Sequence, residues 1–150
     1  VKVENNIDLP IFLDDLVNRE SWEVEYGKDF ELPIKLAQPL DEWKVEIRWH
    51  NGKHPFHGKC QPSQRLITIA INKNVTYPFT QKFAVGTKQI FHPFQGYEYI
   101  NETVAFNSPN ELARFIFLHE FSHLLDYYRG LNISRKQTKA NRFALKHFKR

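Results

Sequence analysis

The chain has 150 residues, 41% hydrophobic, 25% charged and 15% aromatic, a balance that describes an ordinary globular domain with one core. A single cysteine, Cys60, excludes an internal disulfide framework, and apolar runs of about four residues fall far short of the roughly 20 that span a bilayer. With no readable secretory signal, a cytoplasmic protein without membrane partners is the expectation. The net charge of +4 hides an asymmetry: residues 1–46 hold twelve Asp/Glu against five Lys/Arg, while no acidic side chain follows Asp126. An acidic N-terminal segment packed against a basic body explains this, and a basic face for DNA or a DNA-bound protein is the further reading.

In chain order, Asp8 is placed to cap a short helix that begins near Pro10. That helix would bury Ile11, Phe12, Leu16 and Val17 and turn Asp14 and Asp15 outward. A strand ending at Gly27 follows. Strict alternation from Trp43 to His50 predicts a half-buried strand with Trp43, Val45, Ile47 and Trp49 on the inner face. Asn51-Gly52 signals a turn, and the β-branched run from Leu66 to Ile71 reads as a strand covered on both faces. Pro78, Gly86, Pro93 and Gly96 punctuate the next stretch, and Tyr97 to Phe106 reads as a last strand or hairpin arm. The predicted order is helix, strands, then two helices.

Ser108-Pro109-Asn110-Glu111 is a capping box with proline at the first helical position, so a long helix should run from Pro109 to Arg129 and stop at Gly130. It contains His119-Glu120-Phe121-Ser122-His123, in which the four-residue gap sets two imidazoles on one face, one turn apart. That spacing suits one Zn²⁺, held by His119 and His123, with Glu120 beside them to take a proton from the water that the metal activates. The flanks Phe115, Ile116, Phe117, Leu118, Phe121, Leu124 and Leu125 are apolar nearly all round, so the helix should be buried. A polar trio inside it would be costly without a partner such as a metal. A hydrolytic zinc needs three protein ligands, and the motif supplies two.

The segment from Arg114 to His123 resembles the active helix of the zincin metallopeptidases, within them the glutamate-ligand type to which the ImmA/IrrE family belongs. Ala140-Asn141-Arg142-Phe143-Ala144 is similar to that family's second signature, on the following helix. The family pattern carries a glutamate ligand three residues before that alanine, where this chain has Gln137. Gln137 is therefore the candidate third ligand, with a weaker neutral donor, and it also fits a second capping box that begins at Ser134. Asn141 matches the position that orients a ligating histidine. If the last helix folds back on the first, Ala140, Asn141 and Ala144 face the two histidines.

Asp126 shares the face of His123 and reads as a neighbour of the site or a partner for the basic tail, and His147 is an outside candidate for the third ligand. His50, His54, His57 and Cys60 include ligand types for a structural zinc, but Gly52, Pro55 and Gly58 make that stretch read as a polar loop. The sum is a single α+β domain, zincin-like, with a small twisted mixed sheet packed on the long helix and a second C-terminal helix. The implied function is zinc-dependent hydrolysis of a specific intracellular protein. The rivals are a SprT-like protease that acts on DNA-bound proteins, and a degenerate zincin that binds protein or nucleic acid without cutting.

Overall fold

The computed structural model describes residues 1–17, 42–92, 95–128, 130, 132–133 and 137–149. Four strands form a mixed sheet: β1 (Lys2–Asn5), β2 (Lys44–His50), β3 (Phe56–Gln61) and β4 (Leu66–Asn72), in the spatial order β1-β2-β4-β3. β1 runs parallel to β2 and β2 parallel to β4, whereas β3 returns antiparallel to β4, with Gly58 opposite Ile69. The alternation in β2 works as the sequence predicts, since Trp43, Val45 and Ile47 are buried. β4 is central and covered on both sides, so Ile67, Ile69 and Ile71 are buried together with Thr68 and Ala70. β5 (Phe79–Ile90) and β6 (Gly96–Phe106) form a separate antiparallel hairpin with an irregular step between Ala84 and Gly86.

The long helix α2 (Pro109–Tyr128) packs on β3 and β4, and the last helix α3 (Gln137–His147) packs back on α2 and on β5. Ser108 Oγ accepts the Glu111 N–H at 3.2 Å, so the predicted cap forms, while the Glu111 carboxylate reaches one residue further back than in a capping box and accepts the Asn107 N–H. At the other end Gly130 adopts φ 75°, the left-handed turn that stops a helix, and its N–H donates to the Tyr127 carbonyl. Both faces of α2 are covered, with Phe115, Phe117, Leu118, Leu124 and Leu125 in the core. Phe83, Phe106, Phe115 and Phe148 pack as an aromatic cluster that joins the hairpin to both helices. No helix among the described residues is long and apolar enough to cross a membrane.

Three readings of the N-terminal half need correction. The first helix is a single turn, α1 (Asp14–Val17), which buries Leu16 as expected but leaves Phe12 58% exposed and buries Leu13 in its place. Asp15 does not face outward. It forms a two-pronged ion pair with Arg114 of α2 at 2.7 and 2.8 Å, and Arg114 also donates to the carbonyls of Phe12 and Phe148. The stretch around Gly58 is a strand, β3, because its backbone completes the ladder of β4 even though Phe-His-Gly-Lys-Cys-Gln has no β-branched residue. β1 had no sequence signal beyond Val1 and Val3. The strand expected to end at Gly27 lies outside the described residues, as does much of the acidic segment.

Candidate functional site

The site gathers where α2, the N-terminus of α3, β3 and β5 meet. One turn of helix separates His119 from His123, and their Nε2 atoms converge to 3.3 Å. Gln137, the first residue of α3, brings its Oε1 to 2.6 Å from the same His119 Nε2. Asn141, one turn further on, has its Oδ1 2.8 Å from His119 Nδ1, while its Nδ2 donates to the Ala84 carbonyl of β5 at 2.9 Å. The last bond fixes the amide: because Nδ2 is committed to a carbonyl, the oxygen must face the imidazole. His119 Nδ1 therefore carries the proton, and Nε2 of the neutral ring presents its lone pair to His123 and Gln137.

Burial and the neighbouring His123 lower the His119 pKa to about 4, so its imidazole is neutral near pH 7. Burial also lowers the pKa of His123, with Gln137 and the Asp126 charge opposing. No protein group among the described residues hydrogen-bonds the buried Nδ1 of His123. Glu120 points into the same cleft, and burial alone raises its pKa to about 7. A cleft of about 240 Å³ opens beside these groups, floored by Phe56, Phe83, Phe115 and Ile116 and bounded by His57 and Gly58 of β3.

These positions can be tested against a zinc ion. Two nitrogen donors at 2.0–2.1 Å from a tetrahedral centre stand roughly 3.3 Å apart, which is the spacing of the two histidines. The Gln137 oxygen faces the His119 lone pair as acceptor against acceptor. A turn of the amide that lets its NH₂ donate resolves that contact. The two histidines therefore fit zinc as they stand, whereas the Gln137 oxygen, 2.6 Å from His119 Nε2, would have to draw back by several tenths of an ångström to join them as a neutral third donor. Among the described residues no third His, Cys, Asp or Glu joins the pair.

The other candidates fall elsewhere. Asp126 is buried and accepts from Lys139 Nζ of α3 at 2.8 Å, so it pins the helical hairpin and acts on His123 through its charge. His147 lies ten residues after Gln137, about 15 Å along α3, buried against Phe143. The His50, His54, His57 and Cys60 group gathers no ligand set. Strand alternation explains the split: Cys60 turns toward the core while His57 turns to the exposed face, where its ring stacks near His50 at 6.1 Å. Burial, with the Glu120 charge adding, pushes the Cys60 thiol up to about 12, so it stays protonated.

Sequence reading missed the contributions of β3 and β5, namely Phe56, Gly58, Phe83 and the Ala84 carbonyl. Only Gly58 left a trace, and glycine there looked like loop punctuation. Of the basic tail, Lys139 is neutralised by Asp126 and Arg142 donates to the Val85 carbonyl, so these charges serve the fold. No family model, no curated protein and no solved structure matches the chain.

Proposed function

We propose that the protein is a zinc-dependent metallopeptidase of zincin type that hydrolyses a peptide bond of an intracellular protein, with His119, His123 and Gln137 holding the metal. The observation that carries this is the pair of imidazole nitrogens 3.3 Å apart, with the His119 tautomer set through Asn141, beside a buried carboxylate in one cleft. A bound zinc would supply Lewis acidity, which acidifies a water molecule and polarises a peptide carbonyl. Glu120 takes the proton of the attacking water and returns it to the leaving amine. Burial raises its pKa in the metal-free fold to about 7, and Phe56, Phe83 and Phe115 line the cleft beside it. Asn141 holds the His119 ring by one bond to its Nδ1 and one to β5.

The neutral amide of Gln137 supports a second reading, a zincin relative that binds a protein without cutting it. One experiment separates the two. With zinc loaded, Glu120→Gln should keep about one equivalent of metal and lose peptide cleavage by roughly 10²- to 10⁴-fold against a quenched peptide pool. Equal cleavage by both proteins removes Glu120 from the chemistry, and no cleavage by the wild type favours the binding reading. A basic surface for DNA remains the weaker proposal for a partner. It predicts an affinity for duplex DNA that falls steeply with salt.

A further inference from the structure

We propose that Gly58 is the positioning residue for Glu120: the missing side chain on β3 leaves the space beside the strand that the carboxylate occupies. The inference rests on the catalytic reading of Glu120 and names the element that sets its position. Ile116 and Glu120 are four residues apart on α2 and so share the face that meets β3. On β3, alternation directs Phe56, Gly58 and Cys60 toward that face. A Cβ at position 58 would stand 2.7 Å from Ile116 Cγ2, 2.8 Å from Glu120 Oε1 and 3.3 Å from Glu120 Cγ.

Conformation does not demand glycine here, since among the described glycines only Gly130 has a positive φ. Space does. The strand cannot retreat cheaply, because it is in register with β4 from Phe56 to Gln61 and lies opposite the fully buried Ile69. The helix cannot retreat either, with Phe115, Phe117 and Leu118 packed in the core. Ile116 is β-branched and stiff at χ1, so its methyl contact would stay as a packing cost, while the Glu120 carboxylate, at the end of a flexible side chain, is the group that would turn away. Gly58 also borders the cleft, so a side chain there would displace the carboxylate within the site.

The test is a set of double-mutant cycles on the metal-free protein, read by urea denaturation. In the Ile116→Ala background, where the methyl contact is relieved, the stability lost on Gly58→Ala should fall by at least half when Glu120 is also alanine, because the clashing carboxylate is gone. The same loss in both backgrounds overturns the proposal. A second measurement separates positioning from packing. Gly58→Ala combined with Ile116→Ala relieves the methyl contact and leaves the carboxylate contact. The zinc-loaded double variant is therefore expected to hydrolyse the quenched peptide pool at least ~100-fold more slowly in kcat than Ile116→Ala alone, with KM and zinc content within about twofold. Recovery of kcat to the Ile116→Ala level would make Gly58 a packing residue only. If the wild type neither holds zinc nor cuts peptides, the peptidase reading fails while the cycle still decides whether Gly58 sets Glu120.

Discussion

Two adjacent titratable groups, the half-buried His119 and the buried Glu120, pull the stability of the metal-free protein in opposite directions. His119 has its pKa lowered from 6.5 to about 4, so between those values the unfolded chain binds the extra proton and stability rises with pH. Glu120 has its pKa raised from 4.5 to about 7, so the folded chain binds the extra proton and stability falls as pH rises through that window. The two slopes largely cancel between pH 4.5 and 6.5. Glu120→Gln removes one of them. In the presence of chelator, that variant should gain roughly 3 kcal/mol more than the wild type as pH rises across the window. Parallel profiles from urea denaturation would mean that Glu120 is ionised in the apo fold.

Each element of the site was legible in the sequence to the extent that it carries its own signal. α2 wrote its start, stop and motif in local residues: the Ser108 cap, Gly130 and the His119-Glu120-x-x-His123 spacing all stand as read. Asn141 was legible from its place in the second signature, and its bond to His119 follows from the helical hairpin. β3 was not legible because its strand character comes from pairing with β4, a long-range event that leaves no alternation in the sequence. The same holds for Arg114, a charged residue in the midst of an apolar helix. Its role appears only when α1 and the end of α3 supply Asp15 and the Phe148 carbonyl. Arg114→Met should cost about 3 kcal/mol, since it removes a buried cation that donates to two carbonyls and to the Asp15 carboxylate. Asp15→Asn should cost about 1 kcal/mol, because Asp15 keeps roughly a third of its side chain in water. Equal small losses in thermal denaturation would assign the anchoring to apolar contacts instead.

At the scale of the whole molecule, the site is where separate parts of the fold are tied together. His119 and His123 come from α2, Gln137 and Asn141 from α3, and the Ala84 carbonyl from the hairpin. The proposed metal would bridge the two helices across residues 129–136, so loading should stabilise the fold by mass action, about 2.7 kcal/mol at a hundredfold excess over Kd. Gln137→Glu would add a charged donor at the junction. A zinc titration of the metal-free protein against a competing chelator decides whether the site is what it is proposed to be. The expected result is about one equivalent for the wild type, none for His123→Ala, and at least tenfold tighter binding for Gln137→Glu. Zinc binding that is absent in the wild type, or unchanged by both substitutions, would contradict the metal site.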